Sequence, residues 1–310
     1  MCQCTSFRPC NVHLPSCLPE GWNVSWCLST RSFEVPCTLE TDLLSPMSGD
    51  SHHNSPSRSG MRSSALRSPT RALVRTLFTS EQAPLYATHV PLSPVARALL
   101  SAGAAVGALA SPARADLVAT LGETTGRAAF ERMRERMKSS ETGRKLLRER
   151  PLLNSSVLEH CGSLPEGTFG RSYASFMKRR GFDADARPPV RFVDDEELAY
   201  VAFRVRQVHD LWHVLFGCGT NALGELALKA FEFSHTGLPM AFLSVAGAQV
   251  RLSRYQRRRL FTEYVPWALL AGRRAVDLVP IAYEDHMHRD LASLRQQWRI
   301  TPAPPGTEHR

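Results

Sequence analysis

The stretch VHDLWHVLFGCGTNALGE, Val208 to Glu225, sets the reading of this chain. Just before it, Asp194, Asp195, Glu196 and Glu197 put acids where a helix start has its positive dipole end, and no Gly or Pro interrupts Leu198 to Phe216. On the helix this predicts, His209 and His213 lie one turn apart on one face, with Asp210 one position round and three before His213. Gly217, Gly219 and Asn221 then read as a stop and a restart, which returns Glu225 from the next helix. Two imidazoles and two carboxylates offset a dication's charge and suit Zn²⁺, Mn²⁺ or Fe²⁺ better than Ca²⁺. His209, Asp210, His213 and Glu225 are therefore the candidate metal ligands.

A histidine pair at helical spacing is by itself more often a solvated face or a hydrogen-bonded core pair. Here Leu211, Trp212, Val214, Leu215 and Phe216 flank the pair, so the neighbouring carboxylates would be buried at a cost unless a cation met them. The spacing is not that of a zinc protease, because an Asp follows the first His and no Glu stands in the protease base position. A less favoured arrangement pairs Asp210-x-x-His213 with Glu232-x-x-His235, spacing known from carboxylate-bridged di-iron bundles.

Outside this stretch helix signals recur without strand alternation or a repeat, so the expected fold is mainly α, a helical bundle built around a two-helix metal-ligand motif. Thr125 to Arg150, Asn221 to His235, Leu243 to Phe261, Tyr264 to Ala271 and Asp290 to Ile300 read as helices, with Gly162 to Gly170 as a connector. Ala98 to Ala110, begun by Ser93-Pro94, falls short of the roughly 18 apolar residues of a spanning helix. With 310 residues, 43% of them hydrophobic, the chain has enough apolar material for a substantial core.

Charge and cysteine divide the chain further. Residues 61–85 hold Arg62, Arg67, Arg71 and Arg75 among serines, with no acid between Met61 and Ser80, and read as a mitochondrial transit region. Residues 1–60 contain Cys2, Cys4, Cys10, Cys17, Cys27 and Cys37 at spacings that match neither a disulfide module nor a zinc knuckle, together with acids that oppose import. They read as an isoform-specific leader or an upstream-translation artefact. Residues 86–305 are left as the helical domain and 306–310 as a tail. Much of the net +9 also sits in Arg251, Arg254, Arg257, Arg258 and Arg259, ahead of Tyr264 and Trp267. A solvated helix face is the ordinary reading of such a run, and docking on anionic lipid is the leading functional one. No nucleic-acid-binding motif accompanies the charge.

Beyond composition, RFVDDEELAY (Arg191–Tyr200), HDLWH (His209–His213), NALGE (Asn221–Glu225) and TGLPM (Thr236–Met240) resemble the mitochondrial coenzyme Q biosynthesis protein four family. LGETTG (Leu121–Gly126), Arg150-Pro151, LPEG (Leu164–Gly167), VPW (Val265–Trp267) and GRR (Gly272–Arg274) extend the likeness from about Tyr86 to Pro302. The resemblance implies a helical protein on the matrix side of the inner membrane, peripheral to it, working among other ubiquinone-biosynthesis proteins in a multi-subunit complex. It implies loss of the C1 carboxyl from a 4-hydroxy-3-methoxy-5-polyprenylbenzoate, and a divalent metal, usually zinc, held by the residues corresponding to His209, Asp210, His213 and Glu225. Fe²⁺ or Mn²⁺ would suit the same ligands. An oxidative version that replaces the carboxyl by hydroxyl stays open, as does a non-catalytic lipid-binding organiser of the ubiquinone-making enzymes. Glu123 is the candidate proton donor, and Ala98 to Ala110 a wall for the prenyl tail.

Overall fold

Asp195 caps the helix that carries the paired histidines. Its carboxylate accepts from Leu198 N at 2.9 Å, Glu196 and Glu197 fill the first turn, and Gly217 closes the helix in the left-handed region at φ +68°. The computed structural model describes residues 82–111 and 114–307. In chain order its helices are α1 (Pro94–Ala110), α2 (Ala115–Thr125), α3 (Arg127–Lys138), α4 (Glu141–Glu149), α5 (Ser155–Ser163) and α6 (Phe169–Arg180). The histidine-bearing α7 (Glu196–Phe216) follows, then α8 (Ala222–Thr236), α9 (Pro239–Ala248), α10 (Arg254–Arg259), α11 (Val265–Arg274) and α12 (Leu291–Gln297). Among the described residues there is no β-strand, and an isolated antiparallel bridge joins Thr168 to Asp290. The expected mainly α architecture is present; the reading of residues 1–60, and all but the last four residues of the 61–85 reading, lie outside the described residues.

α7 is the axis of the molecule. It packs against α3 and α4 on one side, α6 on another and α8 on a third, so nearly every side chain from Leu198 to Phe216 is buried. α8 is in turn covered by α9 and α11. Trp212, Phe216, Phe231, Tyr173 and Tyr283 fill the space between these helices without exposure. Their polar atoms are matched: Trp212 Nε1 donates to Tyr283 OH at 2.9 Å, which donates to Leu278 O at 2.9 Å. The wholly buried Arg204 is forked onto Glu284 at 2.5 and 2.8 Å.

Several expected boundaries move. Thr125 to Arg150 holds two helices, α3 and α4, because Gly126 separates α3 from α2 and Ser140, which accepts from Gly143 N at 2.9 Å, restarts the chain at α4. Leu243 to Phe261 breaks at Leu252, where Ser253 and Gln256 form a capping box for α10. α5 and α6, short helices capped by Asn154 and Thr168, occupy ground that periodicity alone did not mark. No described helix is long and apolar enough to cross a membrane.

Residues after α12 return as a strap. Ala303 N donates to Phe216 O at 2.8 Å, Trp267 Nε1 to Thr301 O at 3.0 Å, Tyr264 OH to Pro305 O at 2.9 Å and Asn221 Nδ2 to Thr307 O at 2.9 Å. Thr307 is fully buried against the turn that joins α7 to α8.

Candidate metal centre

Two consecutive helices and the turn between them build the site. Gly217 and Gly224 make that turn possible: the first stands at positive φ, and a Cβ on the second would run into the Gly219 carbonyl. Asn221 then caps α8, its Oδ1 accepting from Gly224 N at 2.8 Å, and sets Glu225 in the first turn. His209 Nε2 and His213 Nε2 consequently lie 3.2 Å apart, with Glu225 Oε1 3.3 Å from His213 Nε2 and Glu225 Oε2 3.6 Å from His209 Nε2. Ligands about 2.0–2.1 Å from a tetrahedral zinc ion stand about 3.3–3.4 Å from one another, so these three edges have the size of a ligand triangle. All three residues are buried and their ligand atoms fall within 4.8 Å of one another.

The outer nitrogen of His213 is held by a hydrogen bond, and that of His209 faces a carboxylate. His213 Nδ1 donates to Cys218 O at 3.0 Å, which leaves the Nε2 lone pair directed at the triangle. His209 Nδ1 lies 3.4 Å from Glu232 Oε2, and that carboxylate is fixed at 2.5 Å by Lys229 Nζ. Both oxygens of Glu225 are buried with no formed hydrogen bond among the described residues, so their demand for positive charge falls on the imidazoles or on a cation. Burial and Lys229 push the His209 pKa down, but the Glu225 and Glu232 carboxylates outweigh them and raise it to about 9. Burial likewise favours neutral Glu225 and Glu232. His213 and His209 overcome it at Glu225, which stays well below the usual carboxylate range, and Lys229 and His209 bring Glu232 to about 2. A proton on His209 thus does in the metal-free protein what a cation would do, and the two compete for one place.

Asp210 does not join the triangle. Its carboxylate accepts from Arg187 Nη2 at 2.8 Å, and Arg187 also donates to Leu153 O, Ala184 O and Tyr173 OH, which ties the loop before α7 to the histidine helix. His235 is likewise elsewhere. Its Nδ1 faces Gly272 O at 3.2 Å and its Nε2 accepts from Leu278 N at 3.1 Å, while burial and Arg136 lower its pKa to about 4. With both ring nitrogens used, the Glu232-x-x-His235 pair makes no second metal site, and the di-iron arrangement is set aside.

A cavity of about 110 Å³ opens beside the triangle. It is lined by His209, Asp210, Lys229 and Glu232, by Arg187 and Arg206, and, on its apolar side, by Val118, Ala119, Gly122 and Met240. That side comes from α2 and α9. The expected wall, α1, lies outside it against α2, with Leu99 and Val106 exposed at 56% and 69%. Glu123 reaches the cavity but is already engaged: Oε2 accepts from Arg191 N at 2.8 Å and Phe192 N at 2.9 Å, and Oε1 from Arg206 Nη2 at 2.7 Å. It pins the segment before α7 in place.

The model of the coenzyme Q (ubiquinone) biosynthesis protein Coq4 family matches residues 86–304. The chain belongs to the Coq4 family. Similar Coq4 proteins include the rat "Ubiquinone biosynthesis protein COQ4 homolog, mitochondrial", 46% identical over 222 residues, which are 71% of this chain and 84% of the rat protein. The human protein of the same name is 45% identical over 224 residues, 72% of this chain and 84% of its own. A crystal structure of a putative ubiquinone biosynthesis protein from Nostoc punctiforme superposes with a TM-score of 0.51 at 25% identity, covering 65% of this chain and 97% of that one. The role of this Coq4 chain is in ubiquinone biosynthesis, as the resemblance implied.

Sequence reasoning overlooked some of the surroundings of the centre. Glu225, Lys229 and Glu232 repeat at i, i+4 and i+7, one face of α8, a signal that could have placed the last two beside the ligands. The backbone carbonyl of Cys218 orients His213, a contact that no side-chain pattern marks. Nothing in the local pattern around Arg187 points to Asp210.

Proposed function

We propose that the chain removes the C1 carboxyl of a 4-hydroxy-3-methoxy-5-polyprenylbenzoate, with His209, His213 and Glu225 holding a divalent metal, Zn²⁺ by ligand type. The observation that carries this reading is the ligand triangle of 3.2, 3.3 and 3.6 Å edges beside a cavity that shares His209. Two imidazoles and one carboxylate are a donor set that leaves a coordination position for a substrate oxygen. Bound there, the metal would supply Lewis-acid stabilisation of the carboxylate. Asp210, the fourth residue of the motif, acts in this reading through Arg187.

The rest is work for side chains already in place. Lys229, Arg187 and Arg206 line the cavity and orient an anionic head, while Val118, Ala119, Phe130 and Met240 exclude water and flank the ring. In the reaction the para oxygen pushes electron density to C1, a proton adds at C1, and the bond to the carboxyl breaks with release of CO₂ and return of aromaticity. Metal-replete protein given a short-chain prenyl analogue should release one CO₂ per product formed. No product from that mixture would leave the non-catalytic organiser as the function.

A prenylated substrate also requires contact with a bilayer. In our reading this protein is peripheral to the matrix face of the inner membrane, near anionic lipids and other ubiquinone-biosynthesis proteins. The aromatic half of the expected docking surface does not hold: Tyr264 and Trp267 are buried under the strap, and Arg257 and Arg259 bond to Leu252 O and to Glu263. Exposed apolar residues include Leu99, Val106 and Leu109 of α1 and Phe242 and Leu243 of α9, and, around the arginine cluster, Val250, Tyr255 and Phe261. Burying one such side chain is worth about 1.5–3 kcal/mol, so V106D with F242D should weaken binding to cardiolipin-containing liposomes at least about tenfold. Equal cosedimentation of variant and wild type would remove this face from the account.

A further inference from the structure

Glu232 belongs to none of the matched motifs, yet it sits where a metal-binding histidine is ordinarily steered. Its Oε2 faces His209 Nδ1 at 3.4 Å, the nitrogen opposite the one in the ligand triangle, and the same oxygen takes Lys229 Nζ at 2.5 Å. Both side chains are deeply buried, Glu232 at 2% and Lys229 at 5% exposure, and both line the cavity. A carboxylate and an ammonium are costly to bury, and a pair placed in the core only for cohesion could be replaced by apolar side chains with little loss. The pair is instead aimed at an imidazole ring.

We propose that Glu232 is a positioning residue of the metal centre: it takes the Nδ1–H of His209, fixes that tautomer, and so turns the Nε2 lone pair toward the cation, while Lys229 sets how much of the carboxylate's charge reaches the ring. This rests on the reading of His209, His213 and Glu225 as the metal-binding set. A carboxylate on the outer nitrogen raises the basicity of a ligating imidazole and locks its orientation, and its loss ordinarily costs about 10–100-fold in metal affinity. An ammonium on the same oxygen draws charge the other way. The two members of one ion pair therefore have opposite effects on the metal, a result that simple structural support cannot give.

Zinc affinity of the full chain, measured by competition with a chromophoric chelator, tests this in E232Q and K229M. E232Q should bind zinc about 10–100-fold more weakly at unchanged stoichiometry. K229M should bind several-fold more tightly. Because K229M leaves a buried carboxylate without its ammonium, at a cost to folding, ¹⁵N-histidine spectra of zinc-loaded E232Q supply a second measure: the His209 Nδ1–H resonance should move upfield from its carboxylate-bonded position. Wild type that binds one zinc while E232Q binds it equally well, or with an unmoved resonance, overturns the role of Glu232 and leaves the metal centre standing. K229M that loosens zinc as E232Q does overturns the role given to Lys229. Wild type that binds no zinc removes both the centre and this inference.

Discussion

Replacing Glu225 by Ala should empty the metal centre and stop ubiquinone production in cells while leaving most of the helicity. The carboxylate is the only acidic member of the buried ligand triangle, and both of its oxygens face imidazole nitrogens at 3.3 and 3.6 Å. Loss of an outer-sphere group costs about 10–100-fold in affinity, so loss of a ligand should cost at least that. Elemental analysis beside circular dichroism on purified E225A gives the answer, and full stoichiometry would sink the site. A proton count supports the same experiment. His209 is raised to about 9 in the metal-free protein, so at neutral pH it is protonated and zinc uptake must expel that proton. The sign follows: the imidazolium stabilises the metal-free fold below pH 6.5, that contribution fades as pH rises through about 9, and zinc competes better over the same rise. Calorimetric titration in buffers of different ionisation heat reads the release directly.

The second large effect should come from Glu123→Ala. Glu123 is buried and accepts from Arg206, Arg191 N and Phe192 N, so the truncation strands a guanidinium and two amides beside the cavity. Breaking a buried charged pair from one side costs about 3–5 kcal/mol. Urea denaturation should show a large drop in midpoint for E123A and a smaller one for E123Q, which keeps one acceptor oxygen. An unchanged midpoint with lost turnover would instead return Glu123 to the role of proton donor.

How far the sequence could be read depended on how local each interaction is. His209, His213 and Glu225 come together through one helix, one glycine turn and one capped restart, and each step has a residue signature: Asp195, Gly217, Asn221. The helical class was legible for the same reason. Asp210 was not, because its partner Arg187 sits in an irregular segment where no period marks a contact. Tyr264 and Trp267 misled because aromatics beside arginines have the composition of a bilayer interface, whereas a chain segment some forty residues onward covers them here and supplies Pro305 O and Thr301 O to their polar atoms. α1 misled in a related way. It was expected to wall the prenyl tail, but the apolar side of the cavity comes from α2 and α9.

The strap across the turn between α7 and α8 separates what the centre contains from what keeps it rigid. Its ligands are sequence neighbours, but Asn221, which sets Glu225 on its helix, is tied to Thr307 across 86 residues. Each doubling of loop length adds only about 0.6 kcal/mol of closure entropy, so the distant tie is thermodynamically cheap. Kinetically it is different, since contacts of high sequence separation form late. The ligands are therefore expected to find one another before the turn beneath them is locked, an order that runs from local recognition to long-range closure.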